Sequence, residues 1–151
     1  MNLRYRKMVA DDISAVLAVR VSTVENAITI ERLERDYEIT PRSLAEAMRT
    51  DVAGWLCEDS GSAVGFSMGD RSKGEVQVVA VRPEYEGHGI GKALLHRVRE
   101  WLFSQGHDAI WLRSNPDPTI RAYGFYRRLG WRATGRTMGD DEVLVLEKAG
   151  S

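Results

Sequence analysis

The chain is poor in the residues that build covalent cross-links and metal centres. Cys57 is the only cysteine among 151 residues, which excludes an intrachain disulfide and a cysteine-based zinc cluster. The three histidines, His88, His96 and His107, are too scattered to suggest a metal site. An excess of one charge is missing too: 21 basic and 22 acidic residues leave a formal net charge of −1. There is no global basic field for nucleic acid, so an anion has to be held by local geometry. No apolar run approaches the ~18 residues of a membrane span. The start, MNLRYRKM, lacks the apolar core of a signal peptide. The expectation is a protein of the reducing cytoplasm, with no membrane, nucleic-acid or metal partner. The length suits one domain, 1–151, with its own core.

What is present is a regular alternation of elements. LRYRKM alternates and predicts a first strand. DDISAVLAVRVSTVE predicts a helix capped by Asp11 or Asp12, with Ile13, Val16, Leu17 and Val21 on one face. ITPRSLAEAMRT predicts a second helix, with Thr40 as cap and Pro41 in the first helical position. AGWLCED, AVGFSMGD and EVQVVAVRP read as three strands, and turns as short as SGS and RSKG make them antiparallel. A longer helix follows, with Ile90, Ala93, Leu94, Val98, Trp101 and Leu102 in register and Gly106 as its stop. AIWLRS predicts a strand, TIRAYGFYRRLG a short helix, and WRATGRT and DEVLVLEK two closing strands. This is an α/β (α+β) chain, a mixed sheet with helices on its faces.

Between the third of those strands and the long helix lies VRPEYEGHGIGKALL, with Gly87, Gly89 and Gly91 at alternate positions. A nucleotide P-loop needs four residues between Gly and Gly-Lys, then Ser or Thr. Here three residues separate Gly87 from Gly91, and Ala93 follows Lys92. A dinucleotide fingerprint needs Gly-x-Gly-x-x-Gly, and the third position falls on Lys92 or Leu94. Both readings fail. An anion cradle remains, because missing Cβ atoms admit a ligand and the first helical amides have no partners within the helix. A pyrophosphate fits such a site. A tight turn that uses glycine only for its dihedrals is the alternative.

VAVRPEYEGHGIGKALL resembles the acyl-CoA-binding motif of the GNAT superfamily of acetyl-CoA-dependent N-acetyltransferases, Gln/Arg-x-x-Gly-x-Gly/Ala. Gly89 and Gly91 fall on its small positions, while Glu86 stands where Arg or Gln is usual. RAYGFYRRLGW resembles a second segment of that family, A-x-x-F-Y-x-x-x-G-F, through Ala122, Phe125, Tyr126, Gly130 and Trp131; Thr119 stands where Asn is frequent. The resemblance implies a mostly antiparallel central sheet of about seven strands with about four helices. It implies acetyl-CoA as co-substrate and an amine as acceptor, whether a small molecule or a protein or peptide amine. A non-catalytic acyl-CoA-binding or regulatory module is the alternative, which the acid at Glu86 favours. Edge strands allow a homodimer.

By the same resemblance, Val79, Ala80 and Val81 pair with the pantetheine arm. The pyrophosphate cradle is Glu86, Gly87, His88, Gly89, Ile90, Gly91 and Lys92, with Ala93 just inside the helix, and Thr119 is a further cofactor-binding residue. A lysine-like amine is neutral at pH 7 on the order of one time in a thousand, so a base is useful. Glu75 begins EVQVVAV, and period-two alternation puts it on one face with Gln77, Val79 and Val81. A strand-end charge facing water is its other reading. Tyr126 is the candidate acid for the departing thiolate, with Tyr123 as the packing tyrosine beside it. The side chain of His88 is expected in solvent. Cys57 reads as a strand residue, with an acyl-cysteine as the sharper alternative. ENAITIERLERDYEIT, read as a connection, carries an acidic excess in Glu25, Glu31, Glu34, Asp36 and Glu38. That excess either attracts a cationic amine or is a solvated face.

Overall fold

The computed structural model describes residues 1–25 and 27–149. Seven strands form one sheet: β1 (Leu3–Lys7), β2 (Val52–Asp59), β3 (Ser62–Asp70), β4 (Glu75–Val81), β5 (Ala109–Ser114), β6 (Arg132–Met138) and β7 (Asp141–Glu147). Their order is β1-β2-β3-β4-β5-β7-β6. Neighbours are antiparallel except β4 and β5. The helices are α1 (Ile13–Val21), α2 (Ile30–Tyr37), α3 (Pro41–Met48), α4 (Ile90–Ser104) and α5 (Arg121–Arg128). The chain order matches the expectation, with one addition.

The addition is α2, which lies inside the stretch expected to be a connection. Thr29 caps it, accepting the Arg32 amide at 3.1 Å, and the helix ends where Glu38 turns left-handed at φ +56°. Leu33 is its only buried residue. The apolar stripe is thus one residue deep, too thin to show as periodicity. At α3 the expected cap is in place: Thr40 accepts the Ser43 amide at 3.1 Å, and Ser43 returns a bond to the Thr40 amide. At α1 the expectation needs correcting. Asp12 holds the cap position, but its carboxylate takes the Val9 amide at 2.8 Å and the Arg6 guanidinium at 2.7 Å. It closes the short turn before α1 instead of the first turn of the helix.

Two apolar layers sandwich the sheet. On one face α4 and α5 bury Leu95, Val98, Leu102 and Tyr126 against Val76, Ile110 and Leu112. On the other, Val16 and Val19 of α1 meet Leu56, Phe66, Met68 and Ala80. The approach of α4 to β3 is close. The Ser67 hydroxyl donates to the Leu94 carbonyl at 3.0 Å. A Cβ on Gly69 would lie 2.6 Å from Cγ2 of Val98, which is fully buried.

Gly69→Ala therefore overpacks this contact. The expected loss is about 1–3 kcal/mol, read as a lower urea midpoint at unchanged slope. A midpoint equal to wild type would mean that α4 does not rest on β3 at this distance.

Candidate active site

The site begins with hydrogen bonds that are not made. Pairing between β4 and β5 is confined to Glu75 and Trp111. There the Trp111 amide donates to the Gly74 carbonyl at 3.0 Å, and its indole N–H to the Lys73 carbonyl at 2.9 Å. β5 keeps β7 on its other edge from Ala109 to Ser114. β4 keeps β3, but with an irregularity: Met68 faces Val78, Gly69 faces Val76, and Gln77 faces no residue. Such a bulge bends and twists its strand, and here it carries the second half of β4 away from β5. The wedge opens into a cleft of about 1480 Å³. That exceeds the ~300–1,000 Å³ of a single small-molecule pocket and leaves room for two substrates.

The bulge overturns the expected alternation of β4. Val76, Val79 and Val81 pack towards α4, whereas Val78 and Ala80 pack towards α1. Glu75 precedes Val76 and stands across from Asp70, so it lies on the α1 face. It does not share a face with Val79 and Val81. It still lines the cleft. Burial raises its carboxyl above the usual glutamate range; Lys73 and Arg113 oppose that rise, and Asp70 adds to it.

At the other end of β4 the chain makes a short turn at Pro83–Tyr85 and enters the glycine loop. Gly87 and Gly89 take φ of +83° and +78°, and a Cβ on either would meet nothing within 4 Å. The first helical bond of α4 runs from the Ala93 amide to the Gly89 carbonyl at 3.1 Å. Among the described residues, the amides of 87 to 92 have no acceptor. They form a row of donors at the positive end of the helix dipole. A Cβ on Gly91 would sit 3.6 Å from the Phe125 ring, so α4 and α5 meet at this point.

The structure brings most of the predicted residues together. Val79, Ala80 and Val81 line the cleft along the unpaired edge, and Glu86, Gly87 and Gly89 line it in the loop. Ile90, Gly91 and Lys92 add the first turn of α4, and Thr119 the opposite bank. The Thr119 hydroxyl is bonded to Asp117 at 2.8 Å. Two predicted residues lie outside this lining. His88 is exposed, and Ala93 faces an adjoining groove that shares Gly89 and Lys92 with the cleft and continues to His96 and Arg97. Cys57 is fully buried in β2, away from the cleft, and burial pushes its thiol up. A protonated, enclosed thiol does not serve as an acyl carrier.

The two tyrosines of α5 separate clearly. Tyr126 lines the cleft and is 9% exposed, edge-on to Phe125 at 5.1 Å and Trp131 at 6.0 Å. Burial pushes its phenol up to about 12, and its hydroxyl donates to no described residue. Tyr123 is absent from the lining and stacks under the Arg127 guanidinium at 3.5 Å.

Charged groups that the sequence did not single out complete the walls. Arg121, at the start of α5, places Nε 3.4 Å from the Glu86 carboxylate, and its amide donates to Glu25 at 3.1 Å. Arg20 and Arg113, with Tyr37, also line the cleft. The acidic excess of 25–40 is mostly spent elsewhere. Asp36 pairs with Arg32 and Arg35, and only Glu25 and Glu38 of the five acids reach the lining. Among the described residues no helix is long and apolar enough to cross a membrane, and no three His, Cys, Asp or Glu residues cluster as a metal site.

Residues 21–131 match the model of the acetyltransferase (GNAT) family. The chain belongs to the GNAT acetyltransferases. Its fold is similar to that of the PaiA N-acetyltransferase of Thermoplasma acidophilum, solved in complex with coenzyme A. The TM-score is 0.81 at 18% identity, over 98% of this chain and 100% of that one. The ribosomal-protein-S18-alanine N-acetyltransferase of Escherichia coli aligns with a TM-score of 0.71 at 16% identity, over 99% and 97% of the two chains. YncA of Salmonella typhimurium, solved with acetyl-CoA, gives 0.73 at 18% identity, over 97% and 94%. At these identities the likeness is one of fold. In this GNAT chain the acid at 86 coexists with an intact donor row, because the row is main chain.

The raised carboxyl of Glu75 has a consequence for stability. A carboxyl whose folded pKa lies above its unfolded value makes stability fall as pH rises through that interval. Above it, the folded state carries the full cost of the buried charge. Glu75→Gln removes that cost. The variant is expected to melt above wild type at pH 7, and the gain is expected to vanish below the ordinary glutamate pKa of ~4.3. Equal melting temperatures across pH would place Glu75 in open water.

Proposed function

We propose that the protein is an N-acetyltransferase that moves the acetyl group of acetyl-CoA to a primary amine within a ternary complex. One observation carries the reading: an unpaired strand edge runs from an anion cradle at Glu86–Lys92 to a half-buried carboxylate at Glu75. The residues present suit coenzyme A. The open Cβ positions of Gly87 and Gly89 admit a pyrophosphate, and the amides of 87 to 92 supply donors for it. The main chain of Val79 and Val81, turned to the edge of β4 that β5 leaves unpaired, offers donors and acceptors to the amides of the pantetheine arm, with Ala80 bonded to β3 between them. Bound there, acetyl-CoA supplies a thioester carbonyl open to attack by an amine. An amide of the β4 edge serves to polarise that carbonyl.

The acceptor occupies the part of the cleft that Arg20, Tyr37 and Glu38 line. Glu75 takes a proton from the ammonium, directly or through water. Raised by burial, it is a stronger base than a solvated glutamate. Tyr126 faces the leaving sulfur. A phenol held at about 12 is a weaker acid than a thiol of pKa ~8.5. It therefore stabilises the thiolate by sharing its proton in a hydrogen bond, without giving it up outright. The proton that the amine loses balances the one that the thiol finally gains.

The test is release of free thiol from acetyl-CoA over a panel of polyamines, amino acids, aminoglycosides and N-terminal peptides. Turnover with at least one class is expected. Binding of acetyl-CoA without thiol release on any of them would assign an acyl-CoA-binding module instead.

Tyr126→Phe keeps the ring and its packing while removing the hydroxyl. The expected effect is a fall in kcat of about 10²-fold with little change in acetyl-CoA affinity. Tyr123→Phe, whose hydroxyl lies outside the cleft, is expected within a few-fold of wild type. Steady-state kinetics on the pair decides the matter, and a larger loss at Tyr123 would reverse the assignment.

A further inference from the structure

We propose that Arg121, ion-paired with Glu86, supplies the cation for the pyrophosphate of coenzyme A that position 86 does not. This rests on the coenzyme A reading above. The loop presents an acid to the ligand, and that acid is engaged: the Glu86 carboxylate lies 3.4 Å from Nε of Arg121. Arg121 stands on α5, across the cleft from the first turn of α4, and both it and the loop line the same cavity. It is fixed from two sides. Its main-chain amide is taken by Glu25 from the segment after α1, at 3.1 Å, and its side chain is drawn to Glu86.

A guanidinium has five N–H donors. The contact with Glu86 uses the Nε side, and the Nη groups of Arg121 bond no described residue. They remain available to phosphate oxygens, for which a planar fork is well shaped. The ion pair is exposed, with side chains 62% and 40% accessible. Such pairs contribute little to stability, so sharing the guanidinium with a phosphate costs little. The same bank of α5 carries a second cation. Arg128 lines the cleft and folds back over Gly124, where a Cβ would lie 2.7 Å from its Nη1. Lys92 on α4 is a third cation in this lining, against the carboxylates of Glu86 and Glu25.

The competing account is that Arg121 merely masks the charge of Glu86. A double-mutant cycle separates the two, using coenzyme A affinity by calorimetry for wild type, Arg121→Gln, Glu86→Gln and the double variant. Arg121→Gln is expected to weaken binding by about 10- to 100-fold, the range of a charge-assisted hydrogen bond. Glu86→Gln is expected to bind at least as tightly as wild type. The double variant is expected to stay within a few-fold of Arg121→Gln. A double variant that binds like wild type would mean masking alone and would overturn the proposal, as would full affinity in Arg121→Gln. The loss is expected to persist with 3′-dephospho-coenzyme A and to disappear in the KM for acetyl-pantetheine, which has no phosphate. Loss only with the 3′-phosphate present would overturn the pyrophosphate assignment. A raised KM for acetyl-pantetheine would show a displaced α5 instead. Arg121→Lys, which keeps the charge, is expected to recover part of the affinity, and it stands in should the glutamine variant not fold. Wild type that binds no coenzyme A at all would defeat the underlying functional reading, a result distinct from any of these.

Discussion

Past Glu75 and Trp111, β4 and β5 cease to share hydrogen bonds, and the sheet becomes two halves joined at one residue pair. The halves are each well made. β1 to β4 form an antiparallel run, and β5, β7 and β6 form another. The parting needs a reason to persist, since zipping the strands would satisfy more backbone groups. Gln77 provides it on one side, as an extra residue that bends β4. Phe125 provides it on the other. Its ring sits close to the Gly91 backbone and keeps α5 and the first turn of α4 together over the opening. Water reaches the released amides and carbonyls in the cleft, so leaving them unpaired costs far less than it would in a dry core.

The two groups proposed to handle protons, Glu75 and Tyr126, are shifted by the same cause. Burial raises Glu75 and Tyr126 alike. For the carboxylate this means greater basicity. For the phenol it means a proton that stays put through the working range of pH. Charge is treated differently at the far end, where Lys92, Arg121 and Arg128 remain exposed or half-open to solvent. The cleft thus runs from a more enclosed end at Glu75 and Tyr126 to an open, charged end at Lys92, Arg121 and Arg128.

The sequence made much of this legible. β-branched runs and short turns place the seven strands, and the glycine spacing places the cradle. The helix over Arg121–Arg128 carries two tyrosines, and the family resemblance picks out the one that the cleft contains. Three features were out of reach for separate reasons. α2 buries only Leu33, so its periodicity carries almost no signal. The bulge at Gln77 is a property of the β3–β4 register, and EVQVVAV alternates whether or not one residue is skipped. Glu86 and Arg121 are 35 positions apart in the chain. Read alone, the acid looks like a defect in an anion site, and its partner looks like one more surface arginine.

The bare edge of β4 is also a hazard, because an exposed row of amides and carbonyls invites a further strand. The outer edges of this sheet carry charge: Arg4, Arg6 and Lys7 on β1, and Arg132 and Arg136 on β6. The edge of β4 has no such guard. Its protection is depth. α4, α5 and β5 wall it in, so a guest has to be one chain thick and enter along the strand. A second sheet cannot follow. The aperture thus screens out self-association by width, while a single extended chain passes the same screen.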